Sequence, residues 1–185
     1  MKKELYNALE ILKKGGLILY PTDTIWGIGC DASNSDAIEK IYNLKQREEA
    51  KALITLVGNE VMLDRTVVDM PKIAWELLEA TDTPLSIIYD KVTGIAKNAL
   101  GDDGSCAIRL PKNNFCQQLI QKLGKPIIST SANISKKPTP ISFEDIAPLI
   151  LSGVDYVVNL QKNKSNKKSS RIIQLKNDGQ IKIIR

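Results

Sequence analysis

Small side chains that carry oxygen follow two apolar segments of this sequence. LILY runs into PTDT at 21–24, and KPII runs into STSAN at 129–133. A third apolar segment, SCAIRLP at 105–111, begins with Ser105 and contains Arg109. If these segments are strands of an open α/β sheet, a ligand would bind at the edge where the strand ends converge. Hydroxyl groups and an arginine there would suit a small zwitterion, because arginine binds a carboxylate through two hydrogen bonds.

The same residues have a simpler interpretation. Taken one at a time, Thr22, Thr24, Ser129 and Ser131 are expected to satisfy backbone groups at strand ends. The Gly-Ile-Gly at 27–29 is typical of a tight turn between a strand and a helix, or of a backbone that passes close to a ligand. It lacks the third glycine of a dinucleotide site, and no G-x-x-x-x-G-K-[ST] motif occurs in the chain.

Basic residues form a second candidate group. Lys45, Arg47 and Lys51 lie at the end of a predicted helix and in the turn after it. They are either a solvated helix C-terminus, which the helix dipole favours, or a clamp for a polyphosphate. Arg185 follows the apolar IKII segment, which must be paired in a sheet for this arginine to be held in place.

The residue types that are missing or few exclude several kinds of chemistry. The sequence has no histidine, which excludes Ser-His and Cys-His nucleophiles and most zinc sites. Cys30, Cys106 and Cys116 form no Cys-x-x-Cys pair, so we expect buried reduced thiols. Any catalysis must therefore depend on positioning, on Lys and Arg, on backbone N–H groups or on a metal ion that the substrate brings.

Composition indicates one globular domain over 1–185, with 43% hydrophobic and 25% charged residues. No apolar run approaches the roughly 20 residues needed to cross a bilayer, so we expect no membrane association. The basic start MKKELYNALEILKKGG has apolar residues at helical spacing, interrupted by charges. It predicts a surface helix rather than a signal peptide, and hence a cytoplasmic protein.

Charge is unevenly distributed along the chain. Residues 162–185 contain eight basic residues and one acidic residue, a net +7, whereas the whole chain carries +5. This segment leaves open an RNA-binding module as an alternative function. Aromatic residues make up only 5% of the chain, so few side chains are available to stack on bases.

Hydrophobic periodicity predicts helices that alternate with strands, which indicates an α/β fold. We predict helices over 3–14, 35–47, 113–124 and 142–151, and one or two helices over 59–80. The predicted strands are 17–20, 52–57, 84–90, 105–111, 125–133, 155–160, 170–175 and 181–185. The last three strands have no helix between them and indicate a mixed sheet. The stretch QKNKSNKKSS at 161–170 is expected to be a mobile loop.

Five segments in this order resemble the YrdC-type threonylcarbamoyl-AMP synthases, over essentially the whole chain from Gly16. They are YPTDTIWGIGCDA, KIYNLKQREEAKALITLV, SCAIRLP, IISTSAN, and SSRIIQL ahead of a final IIR. The resemblance is to the short, single-domain form of the family. It implies a twisted mixed parallel/antiparallel sheet flanked by helices that encloses a deep basic cavity.

The resemblance also implies an activity. A nucleotidyltransferase of this kind joins L-threonine, bicarbonate or CO2 and ATP, which carries Mg2+, into threonylcarbamoyl-AMP and pyrophosphate. Partner proteins then transfer the threonylcarbamoyl group to an adenosine of tRNA. A hydrolase of carbamoyl- or acyl-adenylates would use the same cavity and is a further alternative.

The resemblance assigns roles residue by residue. L-Threonine would be held by Thr24, Arg109, Ser131 and Ser170. ATP would be held by Lys45, Arg47, Ser105, Asn133 and Arg185. The catalytic cations would be Lys45, Arg47 and Lys51, and no residues are assigned to a metal. Two departures from the family pattern are Glu48-Glu49 after Arg47, where the family usually has proline, and Arg171 in place of a threonine.

Overall fold

The computed structural model describes residues 1–46, 53–163, 165 and 169–185. Nine strands fall within these ranges and form one sheet in the order β7-β1-β2-β6-β3-β5-β4-β8-β9. From β1 to β9 their bounds are Ile18–Pro21, Trp26–Asp31, Ile54–Leu56, Leu85–Tyr89, Cys106–Arg109, Ile127–Ser131, Tyr156–Val157, Arg171–Leu175 and Ile181–Ile183.

Six α-helices are found in the same ranges. From α1 to α6 they are Lys2–Lys13, Ser35–Lys45, Glu60–Thr66, Lys72–Glu79, Asn114–Leu123 and Pro148–Ser152. Asparagine side chains cap the first turns of α2 and α5: Asn34 accepts a hydrogen bond from the N–H of Ala37, and Asn113 from that of Cys116. Gly124 ends α5 with φ of 74°, a left-handed conformation that glycine adopts without strain.

The sheet is mixed, as the sequence predicts. The β1–β2, β2–β6, β3–β6, β4–β5 and β8–β9 pairs are antiparallel, whereas β3–β5, β4–β8 and β1–β7 are parallel. Helices cover both faces of this sheet. The predicted fold class, a mixed parallel/antiparallel sheet flanked by helices, is therefore confirmed.

The two faces of the sheet bury different sets of side chains, because successive residues of a strand point to opposite sides. On one face, Ile28 and Ile128 pack against Ile38 and Ile41 of α2. On the other face, the side chains of Ile18, Tyr20, Leu56 and Ile127 pack with residues of α1 and α5, including Leu12 and Leu119. This second face also carries the cavity described below, beyond the area that α1 and α5 cover.

Two predicted elements differ from the structure. Gly27 and Gly29 are not in a turn but in the middle of β2. The helix predicted over 142–151 is only the short α6. The carboxylate of Asp145 accepts hydrogen bonds from the N–H and hydroxyl of Ser142, which fixes a loop, and the helix begins only at Pro148, whose fixed φ suits a first helical turn.

Among the residues that the structure describes, no helix is both long and apolar enough to span a bilayer.

Candidate functional site

A cavity of about 270 Å³ lies on the second face of the sheet. Its walls include the side chains of Thr24, Arg109, Ser131, Ser170 and Arg185. These residues come from the β1–β2 hairpin, β5, β6 and the segments around β8 and β9. The convergence that the sequence predicts for Thr24, Arg109 and Ser131 is therefore confirmed.

The cavity is lined by strand ends, as the sequence predicts, and also by one face of the sheet. Arg109 and Ser131 are the last residues of β5 and β6, and Thr24 lies in the turn after β1. Gly27 is paired with Ser131, so these two residues point to the same face of adjacent strands. Together with Ser129, Gly27 continues the lining from the strand ends onto this face.

The two glycines of β2 create space on this face. A Cβ atom on Gly29 would lie 2.7 Å from the Tyr20 ring, and one on Gly27 would lie 3.0 Å from the hydroxyl oxygen of Ser129. Gly29 thus allows the tyrosine to cross the strand, and Gly27 itself lines the cavity. The predicted turn is therefore wrong, and the predicted close approach of the backbone to a ligand stays a prediction.

Thr22 organises the tip of the β1–β2 hairpin. Its hydroxyl oxygen accepts hydrogen bonds from the N–H groups of Thr24 and Ile25, at 3.0 and 3.2 Å, and donates to the carbonyl of Ile25 at 2.7 Å. The Thr22 and Thr24 hydroxyl oxygens are 2.9 Å apart. Thr22 therefore satisfies backbone groups, as the simpler interpretation expects, and it also orients Thr24.

Arg109 is nearly inaccessible, with 4% of its surface exposed. Its Nη1 donates to the Thr24 hydroxyl at 2.9 Å, and its Nη2 lies 3.4 Å from Oδ1 of Asp23. The other oxygen of Asp23 accepts from the N–H of Lys112 at 3.1 Å. Within the described part of the chain, Nε of Arg109 has no hydrogen-bond partner. The guanidinium is therefore held in one orientation by Thr24 and Asp23.

Asp23 is a residue that the sequence interpretation missed. It stands inside the PTDT motif, and its carboxylate is only 9% exposed. A buried arginine generally needs a charge partner, which was the available signal. The sequence alone did not show that Asp23 and Arg109 meet.

Lys45, at the end of α2, is 3% exposed. Its ammonium group donates to the main-chain carbonyls of Ser131 and Asn133, and its own carbonyl accepts from the N–H of Ser135. These bonds fasten the end of β6 and the segment after it to α2. Lys45 thus fixes the STSAN segment, and its predicted contact with ATP stays a prediction.

Asn133 and Ser105 do not line the cavity. The amide group of Asn133 donates to the carbonyls of Ile134 and Lys137, and it lies at a neighbouring hollow of about 440 Å³ that shares Thr139 with the cavity. Ser105 precedes β5, and its hydrogen bonds to Asp103 lower the pKa of that carboxyl group. The predicted residues Arg47 and Lys51, with Glu48 and Glu49, lie outside the described residues.

The β8–β9 side of the cavity is built from Ser170 and Arg185. The Ser170 hydroxyl oxygen is 2.9 Å from that of Ser86 in β4, and the Ser170 carbonyl accepts from Nη2 of Arg185 at 3.2 Å. The main chain of Arg185 is paired with Ile172 in β8. The final segment is therefore paired, as the predicted role of Arg185 requires.

Other titratable groups are less suited to chemistry. Cys30, Cys106 and Cys116 are buried and form no disulfide, as predicted. Burial raises the pKa of all three thiols, that of Cys106 to about 11, so they are protonated and inert near neutral pH. In the part of the chain that the structure describes, no cluster of three or more His, Cys, Asp or Glu residues could hold a metal ion.

Sequence comparisons identify relatives along nearly the whole chain. A family model for Sua5, YciO and YrdC proteins, described as "Telomere recombination", matches residues 10–185. Threonylcarbamoyl-AMP synthase of Psychromonas ingrahamii is 34% identical over 154 residues, covering 82% of this chain and 81% of that protein. Putative threonylcarbamoyl-AMP synthase of Methanocaldococcus jannaschii is 36% identical over 193 residues, covering 98% of this chain and 87% of that protein.

Solved structures share the fold. P. abyssi Sua5 complexed with L-threonine superposes with a TM-score of 0.83 at 24% identity, over 95% of this chain and 52% of that one. A doubly substituted P. abyssi Sua5 superposes with a TM-score of 0.90 at 23% identity, over 100% of this chain and 56% of that one. The chain thus spans about half of these two Sua5 chains. E. coli YciO superposes with a TM-score of 0.86 at 24% identity, over 100% of this chain and 89% of that one. The protein belongs to the Sua5/YciO/YrdC family.

Proposed function

We propose that the protein is an L-threonylcarbamoyladenylate synthase, which forms threonylcarbamoyl-AMP and pyrophosphate from L-threonine, bicarbonate or CO2, and MgATP. The observation that carries this proposal is the cavity. Thr24, Arg109, Ser131 and Ser170, from four separate segments, line it together. They do so in a chain whose curated relatives are named threonylcarbamoyl-AMP synthases.

The size and lining of the cavity suit an amino acid. At about 270 Å³ it is slightly smaller than the roughly 300–1,000 Å³ typical of sites for drug-sized ligands. Arg109 is the group for the threonine carboxylate, since its guanidinium is already oriented by Thr24 and Asp23. The nucleotide would extend from this cavity past Thr139 toward the hollow beside Asn133.

The proposed reaction needs no histidine. The threonine amine attacks CO2, a C–N bond forms, and the amine proton passes to water. An oxygen of the resulting carbamate attacks the α-phosphorus of ATP, and the bond from that phosphorus to pyrophosphate breaks. Because the attacking group is already an anion, catalysis depends on alignment and on neutralising charge on the leaving pyrophosphate. Arg47, Lys51 and Arg185 are the proposed neutralising cations.

Lys45 has a positioning role in this proposal. Its ammonium group holds the carbonyls of Ser131 and Asn133, which are assigned to threonine and to ATP respectively. It would therefore keep the two substrate sites at a fixed separation. The product would pass to proteins that modify tRNA, and the protein would act in the cytoplasm.

Incubation of the purified chain with labelled bicarbonate, L-threonine and MgATP tests the proposal. We expect a labelled adenylate and one pyrophosphate per adenylate, and no product when any substrate is left out. A hydrolase would consume added adenylate and form none from the three substrates. Absence of labelled adenylate under these conditions would refute the synthase.

A pair of arginine variants locates the site. Arg109→Ala should abolish adenylate formation while the protein stays folded. Arg65→Ala removes an exposed arginine of α3, which does not line the cavity, and should leave the rate unchanged. Equal activity of the two variants would contradict the assignment of this cavity.

A further inference from the structure

Ser86 lies in β4, between the strands β5 and β8, and does not itself line the cavity. It has no exposed surface, and its Oγ is 2.9 Å from Oγ of Ser170. Ser170 does line the cavity and is 3% exposed. Within the described residues, Ser170 is the hydrogen-bond partner that the structure gives to the Ser86 hydroxyl. Ser86 therefore touches the site only through another residue.

The strand register places Ser86 between two residues of the proposed threonine site. Ser86 is paired with Ile172 of β8, two residues after Ser170. On its other side Ile87 is paired with Ile108 of β5, and the next step of the same register sets Ser86 opposite Arg109. All three side chains point to the cavity face, because opposite and alternate residues share a face. A change at Ser86 thus acts beside both residues, although Ser86 itself does not line the cavity.

The main chain of Ser170 is held independently of Ser86. The N–H of Arg171 donates to the carbonyl of Pro84 at 2.9 Å, and Arg185 donates to the carbonyl of Ser170. These bonds fix where Ser170 lies. They leave open where its hydroxyl hydrogen points, so the Ser86 hydroxyl is the group that decides this.

The donors and acceptors available to the two hydroxyls show which serine is the donor in the hydrogen bond between them. Each hydroxyl has one hydrogen to donate. If Ser170 donated to Ser86, the hydrogen of the fully buried Ser86 would have no acceptor, and buried polar groups are rarely left unpaired. If Ser86 donates to Ser170, the hydrogen of Ser170 is free to point into the cavity, where a ligand oxygen can accept it.

We propose that Ser86 is a positioning residue for the amino-acid substrate, which donates to Ser170 and so turns the Ser170 hydroxyl into a donor toward a ligand oxygen. The inference rests on the proposed function, since it takes L-threonine as that ligand. Removal of the Ser86 hydroxyl frees Ser170 to rotate, which weakens threonine binding and leaves the chemical step unchanged.

Isothermal titration calorimetry of the whole chain with L-threonine tests this inference. Ser86→Ala should lower the affinity about three- to tenfold, the usual worth of one hydrogen bond. Ser86→Cys, which is nearly isosteric and a weak donor, should act in the same direction without leaving a cavity. In the full reaction, both should raise the KM for threonine and leave kcat and the KM for ATP within about twofold.

A double-mutant cycle separates positioning from general loosening of the sheet. Ser170→Ala should lower the affinity by itself, and Ser86→Ala should add nothing in that background. Thr55→Val removes another fully buried hydroxyl, on the opposite face of the sheet against Cys106, and should leave threonine affinity unchanged.

Two outcomes would overturn the inference: unchanged affinity in Ser86→Ala and Ser86→Cys, or an equal effect of Ser86→Ala with and without Ser170. Failure of the unmodified protein to bind L-threonine is a different result. It would remove the proposed function, and the inference with it.

Discussion

Arg109 and Arg185 both line the cavity, but the structure holds them in different ways. Arg109 is 4% exposed, and its guanidinium is oriented by Thr24 and Asp23. Arg185 is exposed, and its side chain has a single hydrogen bond among the described residues, to the carbonyl of Ser170. Arg109 is thus prepared before a ligand arrives, whereas Arg185 can adjust to one. A fixed side suits a small rigid amino acid, and an adjustable side suits a flexible triphosphate.

The largest effect is expected on the fixed side. Arg109→Lys keeps the charge and loses the planar fork that Thr24 and Asp23 orient, so adenylate formation should fall about 100-fold. Pyrophosphate release at saturating MgATP measures this, with a thermal melt to show that the variant is folded. Activity within about threefold of the unmodified protein would show that orientation of this arginine is unimportant.

Asp23→Asn tests whether the fixed side depends on charge balance. It leaves a buried guanidinium without its carboxylate, so the free energy of unfolding should fall by about 2 kcal/mol in urea denaturation. The control is Lys125→Met, which removes an ion pair with Asp31 whose lysine is 54% exposed, and should cost less than about 1 kcal/mol. Equal losses in the two variants would show that the buried pair of Asp23 and Arg109 contributes no more to stability than a largely exposed pair.

Arg185→Ala tests the adjustable side. The KM for ATP should rise about tenfold, the KM for threonine should change less, and the melting temperature should stay the same, because this exposed side chain makes a single hydrogen bond among the described residues. Lys182→Ala, which removes an exposed lysine of β9 that does not line the cavity, is the matched control. A drop in melting temperature without a change in either KM would assign Arg185 a structural role.

The smallest effect concerns the β8–β9 turn. The hydrogen bond from Lys176 to Asp90, 2.9 Å long, raises the pKa of the lysine above its ordinary value. A raised lysine pKa adds stability below the ordinary value of about 10.4, and that stability is lost as the pH rises through the folded-state pKa. The melting temperature of Lys176→Met should therefore fall slightly less steeply between about pH 9 and pH 11 than that of the unmodified protein. The same pH dependence of the melting temperature in both proteins would show that the pair of Lys176 and Asp90 contributes nothing to stability.

The sequence predicts the main architecture because its strongest signals are local. Hydrophobic periodicity and the caps at Asn34, Asn113 and Gly124 define the helices. The convergence of Thr24, Arg109 and Ser131 was predicted from strand ends, and Arg109 and Ser131 are indeed the last residues of β5 and β6. The single domain over 1–185 and the depth and basic character of the cavity stay predictions.

The errors and omissions also have physical causes. WGIGCD alternates large and small residues, which is a strand pattern, but its glycines were interpreted as a turn; the small residues face the cavity and Tyr20. Asp23 and Ser86 were missed because their partners are far away in the sequence. Ser86 meets a residue 84 positions later, and no local pattern encodes that contact.

The separation along the chain of the cavity residues affects how the protein matures. Thr24 and Arg109 are 85 residues apart, and the wall at Ser170 and Arg185 is synthesised after both. Contacts of this range form slowly during folding. A nascent chain on the ribosome therefore cannot complete this cavity until β8 and β9 have been synthesised and β8 has paired with β4.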